Sequence, residues 1–214
     1  MQPSLFCPDM FDLTYKSIAQ PSTGVYRDKG SKFLAFAYPV KSETEIKSIL
    51  QQLKKEHPKA NHHCFAYRLG AYKNIFRHSD DREPSGSAGR PIYGVILAND
   101  LTQILIVVVR YFGGTLLGVP GLIQAYKGAA DDAIQQASVQ EFEIEEYYNL
   151  VFRYELLNDV MRLLKQSHAT ILQQQMSDDC SIDISVSKKN ADNFINGISQ
   201  NYLLKEGVTL KVKS

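Results

Sequence analysis

The stretch Ile104–Tyr111, which reads I-L-I-V-V-V-R-Y, decides how this chain can fold. An unbroken run of aliphatic residues, with no polar residue between them, is typical of a β-strand that is buried on both faces. The strand leads directly into Phe112-Gly113-Gly114, so the core holds Arg110 and Tyr111 in place. We therefore expect a functional site at the C-terminal end of this strand.

The residues around this strand predict the rest of a first α+β domain. Ser42 precedes an apolar series at helical spacing and is followed by Glu45, which predicts a helix that begins with a capping box. Gly70 and Ala71 separate two runs rich in aromatic residues, which predicts a hairpin. The predicted strands are residues 15–18, 24–27, 31–40, 62–69, 72–78 and 104–111, and the predicted helices are residues 43–57, 88–98 and 120–137.

The character of the sequence changes after residue 138. All 8 prolines lie at or before Pro120, and only two of the 13 glycines, Gly197 and Gly207, lie beyond Gly128. From Glu145 onward the pattern predicts strand, helix, strand, strand, helix and strand, which is the ferredoxin-like order βαββαβ. We therefore predict two domains, residues 1–138 and 139–214.

Composition excludes several classes of protein. Apolar residues make up 44% and charged residues 22% of the chain, which is typical of a soluble globular protein, and no run is long enough to span a membrane. Residues 1–138 carry 16 Lys and Arg against 12 Asp and Glu, whereas residues 139–214 carry 8 against 11, which favours an anionic partner for the first domain. The three cysteines are widely spaced, and the first residues lack the features of a signal peptide. We expect a cytoplasmic protein with reduced thiols, no cofactor and no membrane partner.

The glycine-rich turn between residues 113 and 121 is one candidate site. Backbone amides in such a turn, together with the N-terminus of the helix that follows, can hold an anion. The alternative is that the glycines only permit a tight turn and close packing of strand on helix. The candidate phosphate- or nucleic-acid-binding residues here are Arg90, Arg110, Tyr111, Gly113, Gly114, Gly118, Gly121 and Lys127.

The stretch from residue 78 to residue 91, H-S-D-D-R-E-P-S-G-S-A-G-R-P, is a second candidate. Its carboxylates suit a divalent cation or acid–base chemistry. Alternatively, they pair with Arg82 and Arg90, or the loop caps the next helix through Ser85 or Ser87. No zinc spacing includes His62, His63 and Cys64, so we predict no metal site and expect His63 to form hydrogen bonds to this loop. The candidate residues of this motif loop are His63, Asp80, Asp81, Glu83 and Ser85.

Aromatic residues alternate with basic ones along the predicted hairpin. Tyr67 lies next to Arg68, and Phe76 next to Arg77, which would suit stacking on unpaired bases and contact with phosphates. The alternative is one aromatic row that faces the core and one solvated row. Arg68 and Arg77 therefore join the candidate nucleic-acid-binding residues.

Three motifs resemble the IMPACT family, and in particular its bacterial, YigZ-like branch. They are H-H-C-F-A-Y-R-L-G (62–70), S-D-D-R-E-P-S-G-S-A-G-R-P-I (79–92) and V-V-V-R-Y-F-G-G-T-L-L-G-V-P-G-L-I-Q-A-Y (107–126). The resemblance implies a first domain of the type found in ribosomal proteins and in domain IV of elongation factor G, followed by a ferredoxin-like domain. Eukaryotic relatives carry a further N-terminal domain, so we expect the bacterial form.

The resemblance also implies a function. Eukaryotic members of the family regulate translation by binding the ribosome-associated activator of a starvation-responsive kinase. This chain departs from the family pattern at Arg82, where the family has glycine, and at Gln124, where it has arginine. The second change removes a cation from the candidate anion site, and the first adds one on another loop.

We therefore expect a non-catalytic protein that binds RNA or a ribosome-linked protein partner through the basic, glycine-rich face of its first domain. One alternative is a phosphate-handling or metal-dependent enzyme that uses the turn at residues 113–121 and the carboxylates of the motif loop. The other alternative is a protein–protein adaptor.

Overall fold

The computed structural model describes residues 13–213. The chain forms two compact units, of which the first ends at Phe142 and the second begins at Glu143. The sequence predicts this boundary between residues 138 and 139. The predicted N-terminal leader, residues 1–13, lies outside the described residues except for Leu13.

The first unit is a mixed α+β structure in which a five-stranded sheet has the order β2-β3-β6-β4-β5 and a two-stranded sheet joins β1 to β7. All neighbours in the larger sheet are antiparallel. Its elements are β1 (Thr14–Ile18), β2 (Ser22–Asp28), β3 (Ser31–Pro39), α1 (Glu43–Glu56), β4 (His62–Leu69), β5 (Ile75–Ser79), α2 (Gly89–Ala98), β6 (Ile104–Tyr111), α3 (Gly118–Gln135) and β7 (Val139–Glu143).

Strand β6 lies at the centre of this sheet, and each of its residues 104–109 is 0% exposed. Successive side chains of a strand point to opposite faces. Ile104, Ile106 and Val108 belong to the core that contains the buried residues of α2 and α3. Leu105, Val107 and Val109 belong to the core that contains those of α1. The predicted burial of this strand on both faces is therefore confirmed, and its cause is a layer of helices on each side of the sheet.

Ser42 caps α1 as predicted, but the second half of the predicted capping box is formed one residue earlier, at Lys41. The Ser42 hydroxyl accepts a hydrogen bond from the Glu45 amide at 3.2 Å. The Glu45 carboxylate in turn accepts one from the amide of Lys41, which lies just before the helix, at 2.9 Å. Ile46 and Leu53 then face the core.

Two predicted boundaries differ from the structure. Helix α3 begins at Gly118, before Pro120, so Gly118 and Gly121 belong to its first turn and the connecting loop is residues 112–117. Proline is compatible with a first helical turn because its missing amide would be unpaired there anyway. The second strand of the hairpin begins at Ile75, after a turn in which Lys73 has a φ of 62°.

The second unit is built on a four-stranded antiparallel sheet of order β11-β8-β10-β9. Its elements are β8 (Glu145–Arg153), a 3-10 turn (Tyr154–Leu156), α4 (Leu157–Gln166), β9 (Thr170–Gln175), β10 (Asp179–Ser187), α5 (Lys188–Gln200), α6 (Tyr202–Gly207) and β11 (Val208–Lys213). This order matches the predicted alternation of strands and helices, with the short helix α6 as an addition. Asn201 makes the addition possible, because its side-chain oxygen accepts hydrogen bonds from the amides of Leu203 and Leu204 at 3.0 and 3.4 Å.

None of the helices among residues 13–213 combines the length and the apolar character that a membrane span requires. Cys64 and Cys180 are buried free cysteines. Burial raises the pKa of the Cys64 thiol well above its usual range, so this side chain stays protonated and acts as a small core residue.

Gly113 and Gly94 provide a matched test of packing. A Cβ on Gly113 would lie 1.9 Å from the carbonyl carbon of Gly30, whereas a Cβ on Gly94 would meet no atom within 4 Å. We expect Gly113→Ala to lower the free energy of unfolding by about 2 kcal/mol or more, because backbone must move. Gly94→Ala adds the same methyl group in a helix and should raise it by about 0.5 kcal/mol. Urea denaturation followed by circular dichroism measures both; equal effects of the two variants would contradict the proposed packing.

Candidate functional site at the end of the central strand

The centre of the site is a buried ion pair between Glu83 and Arg110. Arg110 Nη1 donates to Glu83 Oε1 at 2.6 Å. The Arg110 side chain is only 7% exposed and that of Glu83 only 4%. The Tyr126 hydroxyl donates to the same carboxylate oxygen at 2.7 Å. Glu83 comes from the motif loop, Arg110 from β6 and Tyr126 from α3, so a single carboxylate joins three separate elements of the first unit.

Aromatic rings and a histidine enclose this ion pair. The Arg110 guanidinium lies 5.4 Å from the ring centre of Phe33 and 5.6 Å from that of Phe112, within the range of a cation–π contact. His62 Nε2 lies 3.7 Å from Glu83 Oε1. Burial raises the pKa of Tyr126, so its hydroxyl stays protonated and remains a hydrogen-bond donor.

Asp80 caps helix α2. One of its carboxylate oxygens accepts from the amides of Ala88 and Gly89 at 3.0 and 2.8 Å, and the other accepts from Gly86 at 2.9 Å. Burial acts to raise the pKa of Asp80, but these backbone hydrogen bonds outweigh it and lower the pKa below its usual value. The predicted cap through Ser85 or Ser87 is therefore wrong, because Asp80 caps this helix, and of the predicted pairings with arginine, Asp81 lies 3.9 Å from Arg82. Ser87 instead donates to the carbonyl of Pro84 at 2.6 Å, and Ser85 is exposed.

The other members of the motif loop bind β4. Asp81 Oδ2 accepts from the backbone amide of His63 at 2.7 Å, so the predicted hydrogen bond between His63 and this loop comes from the main chain, and the imidazole Nε2 has no hydrogen-bond partner among the described residues. The Asp81 carbonyl lies 2.8 Å from His62 Nδ1, and a carbonyl only accepts, so Nδ1 carries a proton. Cys64 Sγ donates to the carbonyl of Asp80 at 3.0 Å. Each of the three carboxylates thus has a hydrogen-bond donor within the first unit, and no group of His, Cys, Asp and Glu among residues 13–213 is arranged to hold a metal ion.

The glycine-rich turn contacts the hairpin between β2 and β3. The Gly113 amide donates to Ser31 Oγ at 3.1 Å, and the Phe112 amide donates to Asn61 Oδ1 at 2.9 Å. These amides are engaged within the protein, which agrees with the packing interpretation for this part of the turn. Gly114 has a φ of 87° and is exposed, so the turn needs glycine there for a conformational reason as well.

The structure does not bring the predicted arginines together. Arg110 is buried in its ion pair, and Arg68 lies at the opposite end of β4, where Nη1 is 3.7 Å from Asp100 Oδ1. The ladder pairs Arg68 with Phe76, so Arg77 points to the other face of the sheet. The side chain of Tyr111 points to the opposite face of the sheet from that of Arg110, because its hydroxyl lies 2.9 Å from His57 Nδ1 on the side of α1. Arg90 and Lys127 are exposed on α2 and α3.

A different set of cations surrounds the C-terminal end of β6. Lys32 pairs with Tyr111 across the β3–β6 ladder, and the hairpin turn that precedes it packs on Gly113. The contact between His57 and Tyr111 brings the last turn of α1 to the same end. We call this surface the basic end; its members are Arg27, Lys29, Lys32, Lys54, Lys55 and Lys59. These cations are distant in sequence from the glycine-rich turn and were therefore not among the predicted site residues, although the basic hairpin R-D-K-G-S-K is a signal for them.

Exposed apolar side chains lie beside the basic end. Phe112 is 44% exposed and Leu116 is 83% exposed, and they are followed on the first turns of α3 by Val119 and Ile123 at 46% and 39%. Helical spacing places Val119 and Ile123 on one side of α3. The loop therefore presents an apolar surface next to a cluster of positive charge.

Comparison with known proteins identifies the family. The family model of the Impact N-terminal domain matches residues 29–134, which include Glu83, Arg110 and Tyr126. The IMPACT family member YigZ of Escherichia coli strain K12 is 35% identical over 156 residues, which are 72% of this chain and 76% of that protein. The chain belongs to the IMPACT family.

Other relatives agree with this IMPACT assignment. The family member YvyE of Bacillus subtilis strain 168 is 31% identical over 164 residues, which are 77% of this chain and 76% of that protein. A crystal structure of a hypothetical protein is similar with a TM-score of 0.74 and 27% identity, and covers 95% of this chain and 98% of that one. The mixed α+β fold is thus shared along nearly the whole chain.

The backbone of the motif loop explains the glycine that the family resemblance implies at position 82. Asp81 and Arg82 have φ values of 38° and 72°, in the left-handed region that favours glycine. Arg82 Nη2 donates to the carbonyl of Asn61 at 3.2 Å, while the side chain remains largely exposed. Arginine is therefore held in a conformation that glycine would adopt more easily.

Replacing Arg82 tests this strain. We expect Arg82→Gly to raise the free energy of unfolding by up to about 1 kcal/mol, because the left-handed conformation no longer crowds a Cβ. Arg82→Ala is the control: it removes the same hydrogen bond but keeps the Cβ, and should not stabilise. Thermal denaturation of the three proteins measures the difference. A stabilised alanine variant, or a glycine variant less stable than alanine, would show that strain at this position is not important.

Removing one partner of the buried ion pair tests its role. We expect Glu83→Leu to lower the free energy of unfolding by about 3–5 kcal/mol, because Arg110 is left as a buried, unpaired charge. The double variant Glu83→Leu/Arg110→Met should lose less free energy of unfolding than the two single variants lose together. Lys213→Met is a control, because the Lys213–Asp183 ion pair is more exposed and should contribute at most about 1 kcal/mol. Urea denaturation measures the free energy of unfolding of all variants. If the losses of the two single variants add up to that of the double variant, Glu83 and Arg110 do not stabilise each other.

Proposed function

We propose that this IMPACT family protein regulates translation in the cytoplasm by binding RNA, and that the basic end of the first unit is the contact surface. Membership of the family supports the regulatory role, because the family resemblance implies that eukaryotic members regulate translation through a ribosome-associated partner. The physical properties of the basic end support RNA as the ligand.

The distribution of charge at the basic end carries this proposal. Six cations lie around one end of the sheet, and none of them forms an ion pair with another residue in the described part of the chain. The acids interspersed among them in sequence are Asp28 and Glu56. Unpaired cations spread over a surface attract a phosphate backbone, and most of the affinity then comes from the release of counterions.

Phe112 adds a feature that a purely electrostatic surface would lack. Its ring is half exposed beside the glycine-rich turn, and the Arg110 guanidinium lies on its protein side. An exposed ring fixed in this way can stack on an unpaired base, and such stacking tolerates any base sequence. Unpaired cations beside an exposed aromatic ring favour single-stranded RNA over a regular duplex as the ligand.

We further infer that the two units have the folds that the family resemblance implies. For the second unit, the support is the antiparallel order β11-β8-β10-β9, in which β10 lies between the two strands that α4 connects. A strand inserted between two such strands is typical of the split arrangement of ferredoxin-like domains, which supports the inference. For the first unit, a fold like that of domain IV of elongation factor G is supported by the resemblance.

Charge reversal at the basic end tests the proposed RNA contact. We expect the chain to bind a labelled single-stranded RNA with an affinity that falls steeply as salt rises. Arg27→Glu/Lys55→Glu should weaken binding by about tenfold or more and reduce the slope of log affinity against log salt by about 0.7 for each phosphate that the variant no longer neutralises. Both residues are exposed, so the variant should fold. Fluorescence anisotropy across a salt series measures the affinity and the slope together.

Lys205→Glu/Lys211→Glu is the matched control, because it reverses two exposed charges on the second unit. It should leave RNA affinity unchanged. Absent RNA binding at low salt, or equal affinities for Arg27→Glu/Lys55→Glu and the control, would overturn the proposal. Binding to ribosomes that survives nuclease digestion of exposed RNA would point to a ribosomal protein as the partner instead.

A further inference from the structure

One edge of the five-stranded sheet is covered by a helix, and the other edge is not paired with a further strand among residues 13–213. At the β2 edge, the amide of Val25 donates to Asp132 Oδ2 at 2.7 Å, and the Ser22 hydroxyl donates to the carbonyl of Ala133 at 2.8 Å. Helix α3 therefore covers the β2 edge. Strand β5 forms the other edge and pairs with β4 alone among the strands of residues 13–213. Such an edge presents backbone donors and acceptors to any strand that approaches it.

Exposed apolar side chains lie at the β5 edge. Ile75 and Phe76 are 47% and 55% exposed. The Phe76 ring stacks on Tyr93 of α2 with ring centres 5.0 Å apart and an angle of 16°, so it is fixed in place although it is exposed. Leu97 extends this surface along α2 at 46% exposure. Natural proteins often protect an edge strand with charge, as Arg77 does here, but an ordered apolar surface also accompanies β5.

The charged side chains of β5 and α2 are basic, and the acid on the Arg77 face, Glu43, accepts a hydrogen bond from the hydroxyl of Tyr67 at 2.6 Å. Neither β5 nor α2 contains an acidic residue, and their charged residues are Arg77 and Arg90, which are exposed and form no ion pair with any residue in the described chain. The nearby acid Asp100 is held by Lys73 at 2.6 Å and lies 3.7 Å from Arg68. Asp80, just beyond the strand, is engaged by the amides at the start of α2. A partner at this edge therefore meets positive charge.

From these observations we infer that β5 accepts an extended, acidic segment of a partner protein as an additional strand of the sheet. The backbone of the segment would continue the β ladder, and its side chains would alternate between the two faces. Apolar residues on one face would pack on Phe76 and Tyr93. Acidic residues on the other face would lie near Arg77. Arg90 stands close to the Ser79 end of β5, since Gly89 contacts Ser79, and favours an acid at that end of the segment.

Two other occupants fit less well. A second copy of this chain would place one β5 against another, and the like charges of Arg77 would face each other with no acid in either strand. RNA would use the cations but not the row of backbone donors and acceptors, which match those of a strand. This surface is separate from the basic end, so the inference goes beyond the proposed RNA contact and does not depend on it.

Selection from a random peptide library displayed on phage, with the full chain as the target, tests the inference. We expect enriched peptides that alternate acidic and apolar residues. Backbone amide NMR shifts on adding a synthetic enriched peptide should concentrate in β5 and the exposed side of α2. Arg77→Glu should weaken this peptide about tenfold, whereas Lys211→Glu should leave its affinity unchanged. Arg27→Glu/Lys55→Glu should also leave it unchanged, which separates this result from the RNA experiment.

Methylation of the peptide backbone distinguishes strand addition from side-chain binding. In a β ladder only alternate amides of the added strand point toward its neighbour. N-methylation of one alternate set of peptide amides should abolish binding, and methylation of the other set should not. Equal effects of the two sets would overturn the inference. So would enriched peptides that shift amides elsewhere, a library that yields no binder, or dimerisation through β5 in sedimentation experiments.

Discussion

The buried contact between Glu83 and Arg110 is the constraint on which the first unit depends. Taking both charges out of water is costly, and their attraction offsets this cost only when the geometry is good and the remaining hydrogen-bonding groups are satisfied. Here the carboxylate receives a second donor from Tyr126, and the guanidinium lies against the rings of Phe33 and Phe112, although Arg110 Nε has no hydrogen-bond partner among the described residues. The interaction fixes the position of the motif loop relative to β6 and α3. The surface at this end of the sheet is therefore held in one arrangement.

Features that depend on neighbouring residues could be predicted from the sequence. The aliphatic run at residues 104–109 indicated a strand covered on both sides, and Ser42 with Glu45 indicated where α1 begins. The order of strands and helices in the second unit followed from its short periodic segments. Each of these features is decided within a few residues, by side-chain periodicity or by a local cap.

Features that depend on pairing between distant segments could not be predicted. Asp80 caps α2 because the loop folds back across several residues, and no local pattern separates it from Ser85 or Ser87. Arg68 and Arg77 are close in sequence to the motif loop, yet the antiparallel hairpin places Arg68 at the far end of β4 and Arg77 on the other face. Conversely, the start of β3 meets the end of β6, so Arg27 and Lys32 reach the glycine-rich turn from a distant part of the chain. Sequence distance was a poor guide to the candidate site because ladder register determines which residues meet.

The position of Arg110 on β6 also has a consequence for how the sheet assembles. A strand that slips by one residue turns every side chain to the opposite face. Such a slip would place the guanidinium among the aliphatic and aromatic side chains beneath α1, away from its carboxylate, and would direct Tyr111 away from His57. The aliphatic residues 104–109 would tolerate either alignment almost equally, since both faces of the strand are apolar. The charge of Arg110 therefore specifies the register of β6, which the uniformly apolar residues 104–109 do not specify.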